Sequence, residues 1–293
     1  MHWHNAYEKV RAPSCGPGGK VFQDHFHKAE TVPQKELFDL TGRVVILTGG
    51  TGQLGRAFTR SLVDAGVRLA VIDRAEIDAP KDGMSIVCDV TDKAGLEDAL
   101  VRIEKALGEP VGLINAAALD SPPGAPIEEN GPFETYPEAS WDKVMSVNAK
   151  GVFLCCQVFG GAMAQRGKGS IINIASIYGQ VSPDQGLYQY RRDRGETFYK
   201  PVAYSASKSA LYNFSRYLAT YWGPKNVRVN TLTLAGVFNN QDPEFLEKYC
   251  AKVPLGRMAD EDEYNGAIQF LLSDASRYLT GSNIVVDGGF TAW

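Results

Sequence analysis

Histidine is almost missing from this chain. All four histidines (His2, His4, His25 and His27) fall within the first 27 residues, and the remaining sequence has none. That argues against a Ser-His-Asp hydrolase, a Cys-His protease or a histidine-ligated catalytic zinc. The H-x-H pair could hold a metal on an extended arm, but a solvated arm is the preferred reading, and no metal is expected. Cysteine is also sparse. Cys15, Cys88, Cys155, Cys156 and Cys250 are odd in number and form no C-x-x-C. A disulfide framework or zinc cluster is therefore not expected, and Cys88 and Cys155 read as buried apolar filler. No basic run suggests a nucleic-acid partner. No stretch approaches the roughly 18 apolar residues of a membrane helix, and the first residues lack the apolar core of a secretory signal. A cytoplasmic enzyme is the expectation.

What is present is a chain of 293 residues, 44% hydrophobic and 22% charged, with a net charge of −4. This suits one α/β domain with an N-terminal extension. Residues 1–36 mix proline and glycine clusters without periodicity and read as an arm, either packed on a neighbouring subunit or partly disordered. The domain runs over 37–293. "RVVILTGG" is an apolar run ending in glycines, a buried parallel strand. "QLGRAFTRSLVDAG" follows at helical period and stops at a glycine. "RLAVIDR", "MSIVCDV", "VGLINAAA", "GSIINIAS", "VRVNTLTLAG" and "NIVVDGG" supply further strands. Helices are expected near 141–165, from "AYSASK" onward, and around 243–252 and 261–273. Strands alternating with helices give βαβ units, hence a Rossmann-type doubly wound parallel sheet. Ligands in such sheets bind beyond the strand C-termini. The chemistry-bearing residues sit there: glycines after the first strand, then Asp73, Asn115, Ser176 and Gly236.

"TGGTGQLG" (Thr48–Gly55) joins the first strand to the first helix. Small residues let the backbone approach a pyrophosphate, and the helix N-terminus offers free N–H groups. Asp73 ends the second strand about 20 residues later, where a carboxylate can accept from both ribose hydroxyls and repel a 2′-phosphate. NAD is thus favoured over NADP, although Arg74 next door could accept a phosphate. Asp89 suits the adenine amino group, or else it is a turn carboxylate.

The ordered set T-G-x-x-G-x-x-G, Asp73, "NAAA", "SVN", "IAS", "YSASK" and "VVDGG" resembles the short-chain dehydrogenase/reductase family over roughly 38–293. The resemblance implies Tyr204 as acid/base, Lys208 as its activator, Ser176 as partner of the reacting oxygen and Asn148 as holder of a water relay. It also implies cofactor contacts from Gly49, Thr51, Gln53, Leu54, Gly55, Asp73, Arg74, Asp89, Val90, Asn115, Ala116, Ala117, Tyr204, Lys208, Gly236, Val237 and Asn239. The chemistry fits. A tyrosine near pKa 10 needs a shift of roughly 3 units to act as a base near neutrality, and an ammonium one helical turn away favours the phenolate. Three features depart from the family pattern. Gln53 stands where a glycine is common, "NAAA" replaces N-N-A-G, and "LAGV" replaces P-G, with Asn239 where a threonine often lies.

The gap between Ser176 and Tyr204 is more than twice the family's usual dozen residues. The additional stretch, within 180–201, carries Tyr188, Arg191, Arg192 and Arg194, and Tyr178 precedes it. Arginines with tyrosines beside the site suit an anionic, carbohydrate-like substrate such as a sugar acid or nucleotide sugar; the alternative is a subunit-contact loop with solvated arginines. Residues 237–258 read as a lid. The expectation is an NAD-dependent enzyme interconverting a secondary alcohol and a ketone. Alternatives are an NAD-retaining nucleotide-sugar epimerase or dehydratase, and a non-catalytic NAD-binding scaffold. The resemblance also implies a homo-oligomer, a tetramer or dimer, formed through the helices carrying Asn148 and Tyr204.

Overall fold

The computed structural model describes residues 32–120 and 127–293. The N-terminal arm, apart from 32–36, lies outside the described residues, as do the four histidines and Cys15.

From Lys35 to Trp293 the chain forms one compact unit around seven parallel strands: β1 Val44–Thr48, β2 Arg68–Asp73, β3 Met84–Val87, β4 Pro110–Asn115, β5 Gly169–Ser176, β6 Val227–Leu234 and β7 Asn283–Val286. They are ordered β3-β2-β1-β4-β5-β6-β7. β1 lies between β2 and β4, so the direction of winding reverses there and a crevice opens beyond the strand ends. Every residue of β1 is buried. A strand covered on both faces is apolar throughout rather than alternating, which is why "VVILT" reads as it does.

Helices cover both faces. Helix α1, Gln53–Asp64, and helix α6, Asn265–Leu272, pack one side, where Phe58, Leu62, Ile268 and Leu271 meet Val45, Leu47 and Ile172. The other side carries α2, Lys93–Leu107, α3, Glu138–Arg166, and α4, Val202–Trp222. There Leu96, Ile103, Phe159 and Trp222 meet Ile46, Ile72 and Ile171. Asp92 caps α2, its side chain accepting from Gly95 N, which satisfies one of the donors a helix start leaves open. Helix α5, Pro243–Cys250, lies within the 237–258 segment. The helix expected at 261–273 begins only at Asn265; residues 261–264 form a turn.

Contrary to the expectation above, α3 is long and apolar enough by composition to cross a membrane, with a mean hydropathy of 1.2 over its most apolar window. Of that window, 61% is buried inside the fold, as suits a core helix packed on the sheet. Its turn Ser146–Gly151 is π-helical and contains Asn148; π-turns often mark functional sites.

Candidate active site

The glycine turn forms as its sequence requires. Gly49 has φ +81°, and a Cβ there would stand 2.6 Å from Ala117 N, so this left-handed, close-packed position needs glycine. Asp73 Oδ2 accepts from Thr51 N and Thr51 Oγ1, both at 2.9 Å, tying the end of β2 to the turn. Thr48 Oγ1 accepts from Ala116 N and Ala117 N, each at 3.2 Å, tying the turn to the end of β4. Between these ties lies an open cleft of about 200 Å³ lined by Gly49, Thr51, Asp73, Arg74, Asp89, Val90, Ala116 and Ala117. With the N-terminus of α1 at one end and the Asp73 carboxylate at the other, these residues fit a dinucleotide.

Not every expected cofactor residue faces the cleft. The Asn115 carboxamide turns into the core, where its Nδ2 donates to Asn173 Oδ1 at 2.8 Å. Asn173 in turn donates to Ser215 Oγ at 2.9 Å. A buried strand end facing α3 needs a polar partner for this side chain, and Asn173 supplies it. Asp89 does line the cleft, and its Oδ1 also accepts from Thr91 N and Oγ1 within the turn. Gly236 N donates to Tyr249 Oη at 2.7 Å. Val237 bridges to Ala259, and Asn239 is exposed. Gln53 Nε2 donates to Phe238 O at 2.8 Å, linking the start of α1, beside Leu54 and Gly55, to the 237–258 segment.

At the neighbouring strand end, α4 presents Tyr204, Lys208 and Tyr212 at i, i+4 and i+8, one face of the helix. Lys208 Nζ donates to Ile174 O at 2.8 Å, and Tyr212 Oη donates to Ser176 O at 3.0 Å. The helix is thereby fixed along the last turn of β5. Ser176 Oγ accepts from Tyr178 N at 3.2 Å and lies close enough to the Tyr204 phenol to favour its ionised form. Gly179 permits the approach, since a Cβ there would meet Lys208 C at 2.6 Å. Asn148 is committed: its Oδ1 accepts from Leu119 N at 2.7 Å, while its Nδ2 donates to Leu119 O at 2.9 Å and Ser207 Oγ at 3.1 Å. The Asn148 side chain thereby ties the segment after β4 to α4.

Burial pushes the Tyr204 phenol upward, and the nearby Asp120 carboxylate pushes it the same way, against the pull of Ser176. Burial lowers Lys208 to about 8, with Asp120 opposing, so the ammonium is still largely protonated at pH 7. Its Nζ lies 5.9 Å from the Tyr204 ring centre.

This arrangement has known relatives. A family model described as enoyl-(acyl carrier protein) reductase matches residues 51–291. D-threitol dehydrogenase of Mycolicibacterium smegmatis is 31% identical over 272 residues, covering 87% of this chain and 95% of that protein. Galactitol 2-dehydrogenase (L-tagatose-forming) of Cereibacter sphaeroides is 31% identical, covering 88% and 99%. A short-chain dehydrogenase from Leptospira borgpetersenii, solved with bound NAD+, superposes with a TM-score of 0.78 at 30% identity, covering 91% of this chain and 100% of that one. The chain belongs to the short-chain dehydrogenase/reductase family. As a member of it, the protein is an NAD(P)-dependent oxidoreductase of CH–OH groups.

Where this short-chain dehydrogenase departs most from the expectation is the insertion. Residues 180–201 are anchored on the fold by buried aromatic side chains while their outer residues stay exposed. Leu187, Tyr188 and Phe198 are buried with Ile177, Tyr178, Tyr249 and Met258, and Tyr188 lies 4.9 Å from Phe198 and 5.5 Å from Phe245, centre to centre. The three arginines expected to meet an anion are engaged within the fold. Arg191 pairs with Glu196 at 2.6 Å and stacks on Phe198. Arg192 donates to Phe198 O at 2.8 Å and Gln185 O at 2.7 Å and stacks on Tyr199. Arg194 pairs with Asp242 at 2.9 Å and Glu244 at 2.5 Å, joining the insertion to α5. A guanidinium that satisfies buried carbonyls or a carboxylate pair has little left for a ligand. Replacing Arg191 and Arg192 by alanine is therefore expected to loosen the insertion, by about 1–3 kcal/mol for the lost carbonyl bonds. Faster proteolytic cleavage within 182–200 would show it; unchanged cleavage together with a raised KM would restore the anion role.

The tyrosines do gather at the site. Tyr178 and Tyr188 face each other in the cluster that includes Tyr204. Burial raises Tyr178 to about 12, against the pull of the neighbouring Tyr188 hydroxyl. Sequence reasoning missed one charged residue, Asp120, and noticed another, Lys200, in the insertion without giving it a role at the tyrosine. Asp120 follows β4 and acts on Tyr178, Tyr204 and Lys208. Lys200, four positions before Tyr204, pairs with Asp120 and is only 9% exposed. The symmetrical spacing K-x-x-x-Y-x-x-x-K was the available signal.

Proposed function

We propose that this protein oxidises a secondary hydroxyl of a sugar-derived polyol to the ketone, with NAD as oxidant, and catalyses the reverse reduction. The observation that carries the reading is the meeting of Ser176, Tyr204 and Lys208 at the end of β5, beside the cleft that the glycine turn and Asp73 close. In this reading Tyr204 takes the proton from the substrate hydroxyl and Ser176 holds the same oxygen. Lys208 stabilises the phenolate that this demands. Bound NAD supplies the hydride acceptor.

The Asp73 carboxylate supports NAD over NADP, because a 2′-phosphate would lie against its charge. A neutral polyol is supported by the engagement of the three arginines in the fold. The relatives' polyol activities point the same way. Incubation with NAD and a panel of polyols, sugar acids and nucleotide sugars, following reduced cofactor, tests the reading. Polyols should give the highest kcat/KM; a preference for a nucleotide sugar, or turnover without net cofactor reduction, would overturn it.

A further inference from the structure

Lys200 has no counterpart among the catalytic groups read from the sequence, and the way it is held is unusual for a surface lysine. It sits in the insertion just before Pro201, which precedes α4. Its backbone is clasped at both ends by one carboxamide: Lys200 N donates to Gln185 Oε1 at 2.9 Å, and Gln185 Nε2 donates to Lys200 O at 3.0 Å. Gln185 is itself held by Arg192, which donates to Gln185 O at 2.7 Å. The side chain is nearly covered and ion-paired with Asp120. Its Nζ lies 4.8 Å from the centre of the Tyr204 ring, nearer than the 5.9 Å of Lys208.

From this geometry we infer that Lys200 is a positioning residue, a second cation that the insertion delivers to the catalytic tyrosine to stabilise its phenolate, with Asp120 setting how much of that charge Tyr204 feels. A cation beside a ring is attracted to its electron-rich face, and the attraction grows when the ring carries a phenolate. An opposite charge within about 4–6 Å favours the ionised form by about one pH unit or more. Among the described residues, the groups facing Tyr204 are Lys200 from the insertion, Asp120 from the end of β4, Ser176 and Tyr178 from the end of β5, and Lys208 and Tyr212 from its own helix. Of these, Lys200 and Lys208 favour the phenolate by charge and Asp120 opposes it. The chain Arg192–Gln185–Lys200 thus fixes an ammonium 4.8 Å from the centre of the Tyr204 ring.

The inference rests on Tyr204 as the acid/base. Its test is the ionisation of Tyr204 in the NAD-bound enzyme, followed as tyrosinate absorbance relative to the matching Tyr204→Phe protein, alongside the pH dependence of kcat/KM for galactitol and D-threitol oxidation. Lys200→Met should raise the midpoint by about one pH unit. Asp120→Asn, which leaves Lys200 uncompensated, should lower it. Lys200→Arg should keep it near the wild-type value. A merely structural disturbance would move Lys200→Met and Asp120→Asn in the same direction. That result, or midpoints that coincide across the set, would overturn the role of Lys200. A Tyr204→Phe enzyme that still turns over would instead overturn the acid/base reading itself.

Discussion

Replacing Tyr204 by phenylalanine is expected to reduce turnover by about 10²- to 10⁴-fold, the range that general acid/base groups contribute, while leaving the fold and NAD binding intact. The fold should tolerate the change because Ser176, the hydrogen-bond partner of the phenol, keeps its own bond from Tyr178 N. The cofactor cleft is built from other residues. Thermal unfolding, NAD titration and steady-state kinetics on the same protein separate the three effects. The sign of the pH dependence follows from the same site. Burial and Asp120 hold the phenol above its ordinary value, so the phenolate needed for oxidation is scarce at neutral pH. The oxidation rate should climb with rising pH, and reduction, which needs the protonated phenol, should fall.

Asp73→Asn is expected to shift cofactor choice. Asparagine keeps an acceptor for Thr51 N and Thr51 Oγ1, so the turn survives, but the negative charge is gone. Losing charge-assisted bonds to the ribose hydroxyls costs about 1.5–3 kcal/mol, roughly a ten- to hundredfold drop in kcat/KM for NAD. The activity with NADP should rise, because nothing then repels its 2′-phosphate and Arg74 stands beside it, exposed. An unchanged ratio of the two values of kcat/KM would show that Asp73 does not read the ribose.

Much of this site was legible before the structure. A buried parallel strand must be apolar throughout, so "VVILT" and "SIINIAS" declared both their type and where their C-terminal ends would fall. Tyr204 and Lys208 were legible because a helix fixes the relation of residues four apart. What stayed hidden depends on approach in space. Nothing in the spacing of Arg192 shows that its guanidinium would find the carbonyls of Gln185 and Phe198 rather than a ligand. The inward turn of Asn115 is set by Asn173 on the adjacent strand, a pairing decided by register. Asp120 and Lys200 are 80 positions apart, and only the closing of the insertion over the end of β4 brings them together.

The central claim is that the Tyr204 hydroxyl does the proton chemistry beside NAD at the carboxyl edge of the sheet. A crystal structure of the enzyme with NAD and an unreactive polyol analogue measures this most directly. The account predicts one ligand oxygen within about 3 Å of both Tyr204 Oη and Ser176 Oγ, with the carbon bearing that oxygen against the nicotinamide ring. A Tyr204 hydroxyl turned into the core, away from the ligand, would contradict it.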